Sequence, residues 1–186
     1  MPDTAGIAIL SRPLYFLRHG ETENNRLSLI AGSADVELNA AGWEQARAAA
    51  EMFEDTGITA VYTSALRRAR DTAEIVAQAL RMPVVVVPEL AERNWGALEG
   101  KPRALRVRGV TPPGAETPEA FLERTRRGLA RIDAAGMPLL VAHSGTFRVL
   151  CRLTSHDEPS LPVPNCRPVR FTPPSTADPR WRVDVL

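Results

Sequence analysis

A chain of 186 residues, 44% hydrophobic and 24% charged, is long enough to bury a full core and has an ordinary globular composition. Its formal net charge of +1 excludes nucleic-acid binding driven by bulk electrostatics, so any anion specificity must come from a few placed cations. Those cations are arginines, because Lys101 is the one lysine.

The first ten residues carry no cationic segment, and the apolar run there is broken by Arg12. No signal peptide and no membrane span are expected, and a cytoplasmic location follows as the expectation. Residues 14–17 read as a buried strand that ends abruptly in Arg18-His19-Gly20-Glu21-Thr22. Asn39 can cap a helix with Trp43, Ala46, Ala50 and Phe53 on its inner side and a stop at Gly57, with Trp43 expected in the core. Residues 60–63 form a second short strand ending at Ser64, and a helix over 66–81 follows with Ala69, Ala73, Val76 and Leu80 as its apolar stripe.

Pro83 opens a β-branched run over 84–87. Thr117 caps a helix reaching about residue 134, with Phe121, Leu122, Leu129 and Ile132 inward. Residues 139–142 are a fourth buried strand, and a helix runs from Gly145 to Leu153. The proline-rich stretch 159–179 separates two short strand candidates, 169–171 and 181–185, taken as edge strands of the same domain. Strands that are continuous apolar runs and alternate with helices predict an α/β fold. The expected form is a three-layer αβα sandwich with a mostly parallel central sheet, as one domain over residues 1–186. Edge strands leave subunit pairing open, and the sequence does not read an oligomeric state.

Cys151 and Cys166 show neither CxxC nor Cys/His metal spacing. One disulfide is open, but two buried free thiols are favoured for a reducing compartment. With no ligand cluster, neither metal nor cofactor is expected.

In a parallel sheet the strand ends share one rim, where open α/β sheets place their ligands. That rim gathers Arg18 and His19 from the first strand, Ser64 and Arg68 after the second, and His143-Ser144-Gly145 after the fourth. Two imidazoles, two guanidiniums and the N–H groups of the two following helices suit a tetrahedral dianion. Neutral imidazole can attack phosphorus, and adjacent Arg18 and Arg68 favour the neutral form. A carboxylic acid must protonate the leaving oxygen; Glu92 is favoured by spacing over Glu89 and Glu99. The Arg67-Arg68-Arg70 cluster resembles a nucleic-acid patch, but helical geometry sends Arg67 and Arg70 to solvent.

Four ordered blocks over residues 14 to about 150 carry a family resemblance. Arg18-His19-Gly20-Glu21-Thr22 with Asn25 fits RHG(E/Q)(S/T)xxN, and the 64–73 segment fits SxLxRAxxTA. Residues 90–100 fit LxExxxGxxEG, and 141–145 fit a second histidine motif. The chain resembles the histidine phosphatase superfamily, the phosphoglycerate mutase-like group. The resemblance implies His19 as a phosphorylated nucleophile, Arg18, Arg68 and His143 as a phosphate clamp, Glu92 as general acid and then base, Asn25 bonded to the phosphoryl group, and no metal.

Substrate contacts are expected from Gly32 and its surrounding loop, from Trp95 and from the 103–116 span. Trp95 either packs or flanks the leaving group. Ser144, where many relatives have glycine, either caps the following helix or donates to the phosphate. Mutases of this group carry an insertion with an adjacent arginine pair. Here Arg103 and Arg106 are present, but Val107 stands where the second adjacent arginine would be. Ala31 lacks the mutases' hydroxyl, and Trp95 replaces their tyrosine. The expected activity is therefore a metal-independent phosphatase acting on a small phosphorylated metabolite. The alternatives are a mutase-type phosphoryl transferase and a non-catalytic phosphate-binding module.

Overall fold

A computed structural model describes residues 6–132, 135–154, 163–176 and 178–186. Strand β1 (Leu14–Arg18) is buried at every position. It lies between β4 (Met137–Ala142), which it meets in parallel, and β5 (Pro168–Thr172), which runs antiparallel to it. With β2 (Ile58–Thr63), β3 (Val84–Val86) and β6 (Arg182–Val185) the sheet has six strands in the order β3-β2-β4-β1-β5-β6. The first four are parallel; of the two C-terminal strands expected at an edge, β6 is one, while β5 lies inside the sheet, antiparallel to both β1 and β6.

The continuous apolar runs are explained by coverage of both faces. Leu14 and Phe16 join Leu140, Phe147 and Phe171 in one core, while Tyr15 and Leu17 join Val61, Leu139 and Val141 in the other. Helices α2 (Ala40–Glu51) and α3 (Arg67–Leu80) cover the second core through Ala46, Ala49, Ala73 and Val76. Helices α4 (Pro118–Ala130) and α5 (Ser144–Leu153) cover the first through Phe121, Leu129, Phe147 and Leu150. This is the expected three-layer sandwich. Fully burying each such side chain stabilises by roughly 1.5–3 kcal/mol.

Local differences from expectation have physical causes. Helix α2 stops at Glu51, although Phe53 beyond it still reaches the core. Trp43 is only half-buried, because the inner stripe of α2 is Gly42, Ala46, Ala49 and Ala50. That small-residue stripe lets α2 approach the Gly20 loop backbone to backbone. A Cβ on Gly20 would clash with the Gly42 carbonyl, and one on Gly42 with the Glu21 carbonyl. Helix α4 ends at Ala130, and the last two positions expected in it lie outside the described residues. One short helix was not foreseen, α1 (Glu23–Arg26), capped by Thr22 and closed by Asn25 in a capping box.

The parallel strands end in register, Arg18 beside Ala142 and Thr63 beside Val141. His19 N–H then donates to the Ala142 carbonyl at 3.0 Å, and Ser64 N–H to the Val141 carbonyl at 3.4 Å. Residues 19, 64 and 143 are thereby brought to one edge of the sheet. No helix among the described residues is long and apolar enough to cross a membrane.

Candidate active site

His19 is buried at 4% exposure and held at both ring nitrogens. Nδ1 lies 2.7 Å from the Gly20 carbonyl oxygen, and Arg68 Nε–H donates to Nε2 at 3.2 Å. A carbonyl only accepts and a guanidinium only donates, so the ring is neutral with its proton on Nδ1 and a lone pair on Nε2. Burial holds the His19 pKa well below 6.5, and Arg68 and Arg18 push it the same way.

Arg68 is 1% exposed, and its remaining N–H groups tie the 32–34 loop to the site. Nη1 donates to the Ala34 carbonyl and Nη2 to the Gly32 carbonyl, both at 2.8 Å. Gly32 therefore enters the site through its backbone. Thr72, one turn along α3, accepts the Gly20 N–H at 3.0 Å and donates to the Arg68 carbonyl at 2.7 Å.

Arg18 is placed by a segment that carried no motif. Its Nη1 donates to the Val163 carbonyl at 2.9 Å, and its carbonyl accepts Cys166 N–H at 2.9 Å. Asn165 in the same segment donates to the His19 carbonyl at 2.7 Å and to Asn25 Oδ1 at 3.2 Å. With Thr22 N–H also on that oxygen, Asn25 is oriented with its acceptor spent. Arg18 Nε is buried without a partner. Burial lowers the Arg18 pKa to about 10, with Arg103, Arg68 and Arg148 adding repulsion and Glu92 opposing.

Glu92 stands where spacing put it, and its rivals are otherwise engaged. Glu89 pairs with Arg131 at the surface. Glu99 Oε1 accepts from Ser33 N–H, Ser33 Oγ–H and Trp95 N–H at 2.7–3.0 Å, stapling two loops. The Glu92 carboxylate accepts from its neighbour's Arg93 N–H at 2.8 Å and from Gly145 N–H at 2.9 Å. Arg124 of α4 fastens this segment, donating to the carbonyls of Glu89 and Ala91 at 2.7 and 2.9 Å while paired with Glu116.

Among the helix-start donors expected at the rim, Gly145 N–H of α5 serves Glu92, while Leu66 N–H at the cap of α3 and Arg67 N–H at its first residue serve Ser64 and Asp35. Ser144 is the first residue of α5 rather than its cap, which is His143. Arg67 and Arg70 are exposed, and Arg67 pairs with Glu37 and Asp71.

His143 is fully buried beside His19, their ring centroids 5.2 Å apart. Its Nε2 lies 2.7 Å from Ser64 Oγ, and its Nδ1 is buried with no partner. Burial, then Arg68, His19 and Arg18, hold its pKa well below 6.5. Cys151 and Cys166 are buried thiols with no disulfide between them, and burial raises the Cys166 thiol to about 12.

A cavity of about 260 Å³ is lined by residues that include Arg18, His19, Asn25, Gly32, Arg68, Glu92, Trp95 and Ser144; His143 is not in the lining. Trp95 lies beneath two guanidiniums, Arg106 at 3.9 Å and Arg93 at 4.4 Å from the ring centroid. It thus packs against both cations at the cavity wall. Among the described residues no group of three or more His, Cys, Asp or Glu is arranged to hold a metal ion.

Comparison with known proteins agrees with this geometry. Residues 14–175 match the model of the histidine phosphatase superfamily (branch 1). The uncharacterized phosphatase PhoE of Bacillus subtilis (strain 168) is 33% identical over 173 residues, 90% of each chain. A probable phosphoglycerate mutase GpmB of Yersinia enterocolitica is 33% identical over 174 residues, 82% of this chain and 81% of that one. The structure of a mycobacterial glucosyl-3-phosphoglycerate phosphatase with VO3 superposes with a TM-score of 0.79 at 28% identity, covering 94% of this chain and 98% of that chain. A buried neutral histidine between two arginines at the end of β1, together with these matches, places the chain in the histidine phosphatase superfamily.

Proposed function

We propose that the protein is a metal-independent phosphatase that hydrolyses small phosphomonoesters through a phosphohistidine at His19. The observation that carries this reading is the doubly held ring of His19, which leaves Nε2 unprotonated at the cavity wall beside Arg68. In the first step Nε2 attacks phosphorus, the P–O bond to the leaving group breaks, and Glu92 in its acid form gives that oxygen its proton. In the second, Glu92 takes a proton from water, the hydroxide attacks phosphorus, and the P–N bond breaks to release inorganic phosphate. His19 returns to its neutral form.

Arg18 and Arg68 neutralise the equatorial oxygens, for which planar guanidiniums suit better than ammonium groups. The unpartnered Arg18 Nε and His143 Nδ1 are the buried groups that a phosphoryl oxygen would satisfy. Asn25, oriented by Thr22 and Asn165, adds its amide N–H. A cavity of about 260 Å³ fits a metabolite, near the lower end of ligand pockets, roughly 300–1,000 Å³.

Hydrolysis of p-nitrophenyl phosphate in the presence of a chelator tests the reading. Turnover lost in His19→Ala, with alkali-stable, acid-labile phosphate trapped on His19, is the expected outcome. Label on a serine, or normal turnover by the variant, would refute it. The similarity to GpmB supports a second reading, phosphoryl transfer between sugar-acid positions. Turnover of 3-phosphoglycerate primed by a bisphosphoglycerate, faster than its hydrolysis, would favour that instead.

A further inference from the structure

Ser64 follows β2 at the rim, and neither step of the proposed reaction uses it. It is fully buried, and its N–H on the Val141 carbonyl at 3.4 Å fastens it beside the end of β4, which His143 follows. Its Oγ meets two groups, His143 Nε2 at 2.7 Å and Leu66 N–H at 3.3 Å. Leu66 is the cap residue of α3 and its side chain makes no capping bond, so the Ser64 hydroxyl satisfies a backbone donor at that helix start. Arg68 stands in the first turn of the same helix. One hydroxyl thus joins the element that carries Arg68 to the ring of His143.

Counting donors and acceptors orients the protons. A backbone N–H only donates, so Leu66 occupies a lone pair of Oγ, and the hydroxyl still has a proton to place. If that proton lies on His143 Nε2, the hydroxyl is satisfied and the neutral ring carries its own proton on Nδ1. If Nε2 carries the ring proton instead, Oγ accepts twice and its own proton has no further partner among the described residues. Nδ1 is buried without a partner either way. The first arrangement therefore leaves one buried group unsatisfied and the second leaves two, which makes the first the stable one. Its remaining orphan is a donor, Nδ1–H, on a ring whose centroid is 5.2 Å from that of His19. A buried donor of this kind is satisfied by the oxygen of an anion.

We propose that Ser64 is a positioning residue that fixes the tautomer of His143, so that this ring offers Nδ1–H to an oxygen of the phosphoryl group. The inference rests on the phosphatase reading of His19 and adds what orients the second histidine. Both rings carry their proton on Nδ1, yet the nitrogen left for chemistry differs. On His19 a carbonyl takes the Nδ1 proton and leaves Nε2 to attack; on His143 a hydroxyl gives its proton to Nε2 and leaves Nδ1–H to donate. Two neutral imidazoles thereby take opposite parts, one as nucleophile and one as hydrogen-bond donor.

Imidazole nitrogen-15 shifts report the tautomer without any turnover. The chain has three histidines, and the His143 signals are those lost in His143→Gln. At about pH 7.5, above the ordinary histidine range, the wild-type protein is expected to show His143 with Nδ1 protonated and Nε2 bare. The reverse pattern overturns the proposal. In Ser64→Ala the Nε2–H form should appear, and Ser64→Thr, which keeps the hydroxyl, should restore the wild-type pattern. A tautomer unchanged in Ser64→Ala takes the role away from Ser64. Affinity for inorganic phosphate, read by calorimetry, should weaken about tenfold or more in Ser64→Ala, as for the loss of a hydrogen bond to a charged group. Added to His143→Gln, the same substitution should cost less than about twofold, because the serine acts through that ring. An equal loss in both backgrounds marks Ser64 as merely structural and overturns the proposal. Should Ser64→Ala not fold, Ser64→Cys, whose thiol is a weak donor, replaces it in both measurements with the same expected direction. Absence of phosphate label on His19 would refute the phosphatase reading alone, since neither the tautomer nor the phosphate affinity depends on turnover.

Discussion

Arg68 Nε–H rests on His19 Nε2 at 3.2 Å, the same lone pair that must reach phosphorus in the proposed reaction. In that reaction the guanidinium does two things in sequence. It keeps the ring neutral and aimed, and then turns its donors to the phosphoryl oxygens as the P–N bond forms. Arg68→Ala should lower kcat by about 10²–10³, the effect of losing one preorganised charge-stabilising donor (~3–4 kcal/mol). Arg68→Lys should recover little, because an ammonium cannot hold His19, Gly32 and Ala34 together. Full activity in the lysine variant would contradict this assignment.

Glu92 can be displaced without touching it. A Cβ on Gly145 would clash with Glu92 Oε1, the far end of a flexible side chain, and press on the Phe121 ring at 3.0 Å, while alanine near a helix start costs nothing in propensity. Gly145→Ala should therefore keep its melting temperature within a few degrees and lose activity in the manner of Glu92→Gln. In kcat/KM, which reports the first step alone, both should lose about 10²–10⁴ on alkyl phosphates and much less on p-nitrophenyl phosphate, whose leaving group needs no proton. Equal losses on the two substrate types would remove Glu92 from the role of acid.

The two buried rings predict how stability varies with pH. His19 and His143 titrate well below 6.5 in the folded protein and near 6.5 when unfolded. Above that value both states are neutral and nothing changes. Below it only the unfolded chain takes up protons, so stability falls as pH drops from about 6.5 toward the depressed folded values. The slope is at most about 1.4 kcal/mol per pH unit for each ring. Urea midpoints between pH 7.5 and 5.5 should drop, and drop less in His143→Gln if that variant folds. An identical slope in the variant would show that carboxylates dominate the titration.

Asn165 acts on two catalytic candidates at once, through the His19 carbonyl and Asn25 Oδ1. Asn165→Ala should cost about 1–3 kcal/mol of stability and raise KM for phosphate esters. Asn165→Asp, which cannot donate, should behave like alanine. Substrate kinetics unchanged at a temperature where the variant is folded would leave Asn165 a purely structural residue.

The sequence by itself determined the layers and singled out the candidate site residues. Continuous apolar runs at 14–17 and 139–142 can only be strands covered on both faces, and their shared polarity puts Arg18, His19 and His143 on one rim. Motif spacing also singled out Arg68 and Glu92, both of which line the cavity. Long-range hydrogen bonds leave no local pattern, so only the tertiary structure decided what holds these groups. Asn165 and Val163 reach back some 140 residues to Asn25 and Arg18, and Arg124 crosses from α4 to the Glu92 segment. Two of the expected helix-end donors, on Gly145 and Arg67, proved occupied, because Glu92 and Asp35 arrive from distant segments. The arginine bias was visible as composition; the gathering of arginines around one cavity was not, since residues 103 and 148 meet only when the chain folds.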